Sequence, residues 1–424
     1  MVLYVAQGIP EGMTFYGIPA WMAMHGKSAA EIGGFVSIII IPWSFKFLIA
    51  PLMDRYSFLP MGRRRPWVLF GQLGLICSYI GMALVPDPLN NLPLLIVAGF
   101  CVSFFGALQD VATDGMAVDI VPEHQQARAN GLMWGAKTIG IAVSLAIGTW
   151  LINHFGFRMA ILAMSVAIGL IMLAPLLLRE RPGEKLLPWS AGQTSAETAN
   201  LKIENWHEIF KSFLRVFTLR YSLVLALLLY LMGTAFNFMN TLIPIFTVQQ
   251  LHWTNQQYSS VYSGASICGG LLGMLVGGFL IDHFGKLRML RLYYLLLIGI
   301  TVSMAYSAIY WKTGYVTQLY IFVYTALFVF SMVGIFAVSM QFCWKKISAT
   351  QFTVYMAISN LGYATGSAAI GPLRAHFNWQ NTILFFPIVV AMAFLVIQFI
   401  RIKFHVEQVE KLELPEQINP VIIV

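Results

Sequence analysis

The sequence predicts an all-helical membrane protein in which twelve transmembrane helices form two six-helix halves. Of its 424 residues, 58% are hydrophobic and only 10% are charged, whereas soluble domains carry about 25% charged residues. The apolar residues form long runs, and a helix needs roughly 20 such residues to cross a bilayer. One long polar segment divides these runs into six and six. This composition excludes a soluble enzyme.

The apolar runs place twelve spans, which are numbered in chain order below. Their predicted bounds are 2–24, 31–53, 66–86, 92–120, 127–151, 158–178, 220–247, 258–281, 289–310, 315–342, 352–372 and 380–402. We interpret 1–178 as a first half, 179–219 as a linker, 220–403 as a second half and 404–424 as a tail. Within the linker, the pattern at 206–217 predicts an amphipathic helix on the membrane surface. The first apolar run has no charged segment before it, so we interpret it as span one and not as a signal peptide. A translation start upstream of Met1 is compatible with this interpretation.

The basic residues predict how the chain is oriented. If the N-terminus is cytoplasmic, 20 of the 26 lysines and arginines fall in cytoplasmic loops and four fall outside. Because lysine and arginine mark the cytoplasmic side, we expect both termini there. The net charge of +8 is scattered between apolar runs, which does not predict nucleic-acid binding. The four cysteines lie far apart without metal-ligand spacing, so we expect no metal and no other cofactor.

A loop motif occurs once in each half. The loop after span two contains Asp54, Arg55, Gly62, Arg63 and Arg64, and the loop after span eight contains Asp282, Gly285, Lys286 and Arg288. The two glycines are 223 residues apart, which indicates two halves built alike. Each aspartate can accept hydrogen bonds from helix amides and arginines, and we expect these residues to form an inner gate between the halves.

This repeated motif resembles the signature of the major facilitator superfamily, and the resemblance implies that family's twelve-helix fold. The stretches 7–10, 46–56, 62–65, 109–114 and 349–352 resemble the AmpG-like branch of muropeptide permeases and acetyl-CoA transporters. The branch implies proton-driven import of a bulky polar solute across a bacterial inner membrane, with muropeptide-like ligands first and siderophores as the alternative. The lysine and aspartate that the branch usually shows in span seven are absent from 230–234.

Charged residues occur where the membrane should exclude them. Each costs about 2.5–3.5 kcal/mol at a helix centre, so such residues need partners and usually mark a transport pathway. The six are Glu11, Lys46, Asp110, Asp114, Asp119 and Lys137. Counting 1.5 Å per residue places all of them except Asp119 near the membrane midplane. Three acids and two bases leave one surplus carboxylate, which suits a proton carrier. We therefore predict that Glu11, Asp110 and Asp114 couple transport to protons, with a static salt-bridge network as the alternative.

The predicted substrate site combines the two buried bases with neutral polar groups. Its residues are Lys46, Lys137, Gln7, Asn237, Asn240, Gln341 and Asn360. Glycines and prolines interrupt span one, and interrupted helices at membrane depth are typical of cavity linings. The aromatic residues Tyr16, Trp21, Trp43 and Trp134 suit either a sugar ring or ordinary packing.

The expected partners are a small-molecule solute, protons and the lipid bilayer, and we expect a monomer. An intramembrane aspartyl protease is excluded, because Asp110 and Asp114 share one helix and cannot face each other as a dyad. A sensor that transports nothing, with the linker and tail as partner-binding segments, is the remaining alternative.

Overall fold

The computed structural model describes residues 2–120, 123–195, 214–313, 315–344 and 348–413, and within these ranges the regular secondary structure is helical. The first half consists of Val2–Glu11, the π-helix Gly12–Gly17, Ile18–Met24, Ala29–Ile39, Ile41–Ser44, Lys46–Arg55, Arg65–Ala83, Leu92–Ile120 and Glu123–Leu177. The second half consists of Arg220–Gln249, Asn255–Leu272, the π-helix Gly273–Gly277, Gly278–Phe284, Lys286–Tyr306, Tyr315–Phe342, Ser348–His376, Trp379–Ile397 and Ile402–Glu413. Most of the predicted amphipathic linker helix, 206–213, lies outside the described residues.

The helices reproduce the predicted spans. Spans five and six lie within Glu123–Leu177 as two helices that meet at Gly156, where the backbone is not helical, with φ 80° and ψ 167°. This conformation favours glycine, because a Cβ atom would strain the backbone there. We call the end of the bundle that carries Gly62 and Gly285 the basic end, and the end that carries Gly156 the distal end.

Nine stretches of the described residues are long and apolar enough to cross a membrane. One of them, Gly135–Leu177, contains spans five and six, so the nine account for ten of the twelve predicted spans. Spans one and eleven are absent from this set. Span one is divided by a π-helix, and span eleven is rich in small and polar residues. Both spans pack between other helices, where protein covers their less apolar faces.

Spans one and two are broken near the middle of the membrane. In span one, Pro10 precedes the π-helix Gly12–Gly17. In span two, Pro42 lies in the short helix Ile41–Ser44, which is flanked by two helix ends. Proline has no N–H to donate and its ring clashes with the preceding turn, so it interrupts a helix. In span two, the carbonyl of Trp43 beside the break accepts a hydrogen bond from span eleven.

The two halves meet along spans five and eight near the distal end. Asn153 and Asn255 exchange amide hydrogen bonds of 2.9 and 2.8 Å. One turn further into the membrane, the hydroxyl groups of Thr149 and Ser259 are 2.7 Å apart. Ser263 then donates to the carbonyl of Ala142 at 3.0 Å. This contact is neutral, so its strength does not depend on the charge state of its side chains.

Spans two and eleven form the second contact between the halves. Ser37 donates to the carbonyl of Ala364 at 2.8 Å. Gly33 approaches span eleven so closely that a Cβ atom would collide with the carbonyl of Ser367. At the rim, the Gln249 amide donates to the carbonyl of Lys27 at 2.7 Å. The distal end is therefore held together on both sides of the bundle.

We predict that Gly33→Val separates spans two and eleven at the distal end, because the added side chain cannot fit against span eleven. Gly34→Val is the matched control, since a Cβ atom at Gly34 would meet no neighbouring atom. The measurement is maleimide labelling of Ser367→Cys, a fully buried position, in a background without the four native cysteines. Gly33→Val should raise the labelling rate several-fold and Gly34→Val should not. Equal labelling in both variants would contradict this close contact.

Candidate functional site

A buried ion pair joins spans one and five. The Lys137 ammonium lies 2.6 Å from a carboxylate oxygen of Glu11, and the two side chains are 13% and 17% exposed. Gly8 and Gly140 allow the two helices to approach this closely, because a Cβ atom on either would collide with the opposite backbone. Two predicted residues from distant parts of the sequence are thus brought together.

A second ion pair joins spans two and four. The Lys46 ammonium lies 3.0 Å from a carboxylate oxygen of Asp110, and the carboxylate side chain is 7% exposed. Lys46 begins the last helix of span two, directly after the break at Phe45. The break places the lysine at the depth of Asp110. Each of the two buried lysines therefore pairs with a carboxylate on another span.

Trp43 connects the two ion pairs. Its ring centroid is 5.9 Å from the Lys46 ammonium and 5.3 Å from the Lys137 ammonium. The face of an indole ring carries negative electrostatic potential and attracts cations. The tryptophan thus holds both lysines on one aromatic surface, a role that its aromatic character alone did not predict.

Within the described residues, Asp114 is the one of the three carboxylates that forms neither of these ion pairs. It accepts a hydrogen bond from the Tyr4 hydroxyl group, and unlike Asp110 it is exposed. The next residue, Gly115, lies against the Arg64 guanidinium near the basic end. Tyr4 was missed by the sequence analysis, although its spacing of seven residues from Glu11 places both on one helix face. The side chain of Asp119 lies outside the described residues.

The two predicted asparagines of span seven are buried among helices of the second half. The Asn237 amide donates to the carbonyl of Tyr363 at 3.0 Å and to the Ser367 hydroxyl group at 2.6 Å. Asn240 accepts hydrogen bonds from the hydroxyl groups of Tyr324 at 3.0 Å and Tyr262 at 3.4 Å. These bonds fix spans seven, eight, ten and eleven relative to one another.

Asn360 links the second half directly to the charged cluster. Its amide donates to the backbone carbonyl of Trp43 at 3.0 Å. The break in span two leaves this carbonyl available to a side chain from another helix. Of the neutral polar residues predicted for the site, Asn360 thus contacts the residue that joins both ion pairs.

Two other predicted residues have different surroundings. Gln7 is 2% exposed, and neither atom of its amide has a hydrogen-bond partner within the described part of the chain. Gln341 lies at the basic end, where it accepts a hydrogen bond of 2.9 Å from Lys286. Gln7 is one turn from Glu11 on span one, whereas Gln341 is near the loop motif.

The predicted aromatic residues fall into separate groups. The ring of Tyr16 packs on that of Tyr262 across the two halves, with centroids 4.9 Å apart. Trp21 stacks on Phe157 within the first half at 4.7 Å, which is helix packing. The side chain of Trp134 lies outside the described residues.

At the basic end, Glu180 caps the helix that starts at Arg65. Its carboxylate accepts hydrogen bonds from the backbone N–H groups of Arg63, Arg64 and Arg65 at 3.2, 2.9 and 2.8 Å. Gly62 has φ 101°, and a Cβ atom there would collide with Glu180. A carboxylate at a helix N-terminus satisfies free amides and interacts favourably with the helix dipole. Burial raises the pKa of Glu180, and the three N–H donors oppose this shift.

Arg65 anchors the start of the linker. Its buried guanidinium donates to the backbone carbonyls of Pro175, Leu176, Lys185 and Leu186 at 2.6–3.2 Å. Arg65, which directly follows the motif, thus ties the linker to span three within the first half. The sequence analysis assigned the loop to an inner gate and missed both Arg65 and Glu180.

The corresponding loop of the second half has the same glycine conformation. Gly285 has φ 91°, close to the value at Gly62. Lys286 donates to Gln341, and Arg288 is exposed. The side chains of Asp54, Arg55 and Asp282, which complete the predicted inner gate, lie outside the described residues.

Comparison with known proteins identifies the family to which this fold and site belong. The family model of the Major Facilitator Superfamily matches residues 1–367. The chain belongs to the Major Facilitator Superfamily. It is a multi-pass membrane transporter and not an enzyme.

Among curated relatives, the chain is 25% identical to the anhydromuropeptide permease of Escherichia coli K12, over 91% of this chain and 75% of the permease. It is 24% identical to putative transporter AmpG 1 of Rickettsia prowazekii, over 91% of this chain and 93% of that protein. Among solved structures, the nucleoside transporter NupG superposes with a TM-score of 0.69 at 15% identity, covering 94% of this chain and 98% of NupG. The NupG likeness shows the superfamily fold.

The superfamily loop motif gives one stability prediction. Gly62→Ala should lower the melting temperature in detergent more than Gly285→Ala. Both positions have a positive φ, and at a positive φ a residue with a Cβ atom strains the backbone at a cost of order 1–3 kcal/mol. Only at Gly62 would the Cβ atom also collide with Glu180, since at Gly285 it would meet no neighbouring atom. Equal shifts would contradict the packing of Glu180 over this glycine.

The ion pair between spans one and five gives a second prediction. Lys137→Met should destabilise the transporter by about 3–5 kcal/mol, because it leaves the buried Glu11 carboxylate without its ammonium. The double variant that also carries Glu11→Gln should recover most of the lost melting temperature. Lys27→Met is the control, because it breaks the more exposed pair with Glu31, and exposed pairs contribute under about 1 kcal/mol. Equal losses for Lys137→Met and Lys27→Met would contradict the role of burial.

Proposed function

We propose that this transporter is a proton-coupled importer of a bulky polar solute, with a muropeptide-like solute as the substrate. The observation that carries the coupling is the arrangement of five charged groups in the first half, in which two lysines neutralise two carboxylates and Asp114 is left over. The membrane is the bacterial inner membrane, with the basic end and both termini in the cytoplasm.

The relatives support this choice of substrate. A permease whose name states anhydromuropeptide as its substrate matches 91% of this chain, although at 25% identity. Similarity over nearly the whole chain supports the same transport task more strongly than a local match would. The sequence suggests siderophores as the alternative substrate, and the transport experiment described below tests them in parallel.

Asp114 is the proton carrier in this proposal. An ionised carboxylate without an ammonium partner is costly at membrane depth, and within the described part of the chain Asp114 forms neither of the two lysine ion pairs. Its exposure and its position beside Gly115 and Arg64 give protons access from the basic end. Tyr4 donates to the ionised form and can reorient when the carboxylate becomes protonated.

Alternating access requires the charged cluster to sense the position of the other half. The Asn360 bond to the Trp43 carbonyl supplies such a contact, because it joins span eleven to the residue that lies on both lysines. Rocking of the halves around a central site is the expected motion for transporters of this construction. The contacts of spans two, five, eight and eleven then close the outer side while the site faces the cytoplasm.

The experiment is uptake of labelled anhydromuropeptide into proteoliposomes with an imposed pH gradient, acidic outside. Ferric siderophores are measured in parallel under the same conditions. Uptake of the muropeptide that collapses with a protonophore supports the proposal. If the gradient drives uptake of a siderophore and not of the muropeptide, the substrate is a siderophore and the muropeptide proposal is wrong. Transport of neither solute would contradict the proposal as a whole.

For coupling, we predict that Asp114→Asn abolishes gradient-driven uptake and leaves counterflow exchange of the solute intact. The amide cannot carry a proton, but it still fits the site and accepts the Tyr4 hydrogen bond. Counterflow needs no proton movement, so it separates coupling from binding.

Asp87→Asn is the matched control for this substitution. Asp87 is an exposed carboxylate in the loop after span three, where it accepts a hydrogen bond from Asn90 at 2.7 Å. Its replacement should change neither gradient-driven uptake nor counterflow. Wild-type pH dependence in Asp114→Asn would remove Asp114 from the coupling mechanism.

A further inference from the structure

We propose that the Glu11–Lys137 pair is the recognition site for a substrate group that carries both an ammonium and a carboxylate, as an amino acid or a peptide does. The substrate carboxylate binds the Lys137 ammonium and the substrate ammonium binds the Glu11 carboxylate. This inference rests on the proposed function and narrows its substrate class to solutes with a zwitterionic group.

Charge balance is the first argument. The pair is neutral as a whole and is largely shielded from water. A ligand with one charge only would pair with one partner and leave the other charge without compensation in a low-dielectric site, which is strongly unfavourable. A zwitterionic group replaces both contacts at once, so each charge in the site keeps an opposite charge.

Accessibility separates this pair from its neighbour. The two lysines are equally exposed, at 13%, but the Glu11 side chain is 17% exposed and the Asp110 side chain is 7% exposed. Glu11 also directly precedes the π-helix Gly12–Gly17. Such π-helical turns occur frequently at functional sites, because they interrupt the regular helix at a defined residue. The pair is therefore the more accessible of the two to a solute.

The surroundings of the pair fit an organic ligand. Trp43 packs with Phe15 and Tyr363 in one cluster, so spans one, two and eleven together supply an aromatic wall beside Lys137. Trp43 is 7% exposed, and its indole N–H has no acceptor within the described residues. A buried donor without an acceptor is costly, and a polar ligand atom would satisfy it.

Residues of both halves of the transporter form this aromatic wall. Phe15 and Trp43 belong to the first half and Tyr363 to the second, and Asn360 fixes the Trp43 backbone from span eleven. A ligand on the Glu11–Lys137 pair would therefore touch groups of both halves. Binding energy at this site can then act on their relative position.

The test is a thermal-shift titration of the purified transporter with matched ligands. One set contains an anhydromuropeptide whose stem peptide has a free amine, the same compound with the amine acetylated, and the same compound with its carboxylates amidated. A second set contains trialanine and its two singly blocked forms. Each blocked form should need roughly tenfold more ligand for half-maximal stabilisation, because it loses a charged hydrogen bond.

Two double variants show whether the discrimination comes from this pair. Glu11→Gln with Lys137→Met removes both charges without leaving one unpaired, and it should bind free and blocked ligands equally. Asp110→Asn with Lys46→Met removes the other ion pair, and it should still discriminate between free and blocked forms. Unchanged discrimination in the Glu11 and Lys137 double variant would overturn the inference.

The two ligand sets separate this inference from the proposed function. If the muropeptides stabilise the wild-type chain but free and blocked forms bind equally, the inference fails and the proposed substrate stands. If only trialanine stabilises it, with the predicted discrimination, the inference stands and the muropeptide substrate fails. If neither set stabilises the chain, both are overturned.

Discussion

The cost of placing charge inside a membrane is the constraint on which the rest of this structure depends. Two lysines at membrane depth require two carboxylates close to them, and Asp110 and Glu11 meet this requirement at 3.0 and 2.6 Å. These distances fix how spans one and five, and spans two and four, pack against each other. In the part of the chain that the structure describes, Asp114 pairs with neither lysine, so it differs from the other two carboxylates.

Interrupted helices make this pairing possible. In span two, the short helix Ile41–Ser44 carries Pro42 and Trp43 and ends at Phe45, and Lys46 begins the next helix. In span one, the π-helix begins one residue after Glu11. Such breaks would expose polar backbone groups to lipid in an isolated helix, so they occur where protein or a cavity covers them. The Asn360 bond to the Trp43 carbonyl is one result of that covering.

The loop motif shows that one sequence signature can serve different tasks. Gly62 and Gly285 share a backbone conformation, as two halves built alike would predict. In the first half, however, the amides after the glycine bind Glu180, and Arg65 holds the carbonyls at the start of the linker. Glu180 and Arg65 are not residues of the loop motif, so the motif alone does not predict these two contacts. The linker therefore starts as a part of the first half.

The sequence by itself determined the all-helical membrane fold and the positions of the spans, because hydropathy and span length depend on local composition alone. It also predicted five charged residues near the membrane midplane. It also indicated one surplus carboxylate by counting charges. Only the tertiary structure decided that Asp114 is that carboxylate, that Glu180 caps the loop motif, and that Trp43 joins the two ion pairs. These contacts join residues up to 126 positions apart in the chain. Which of several carboxylates meets a given lysine depends on helix packing, which composition and periodicity do not specify.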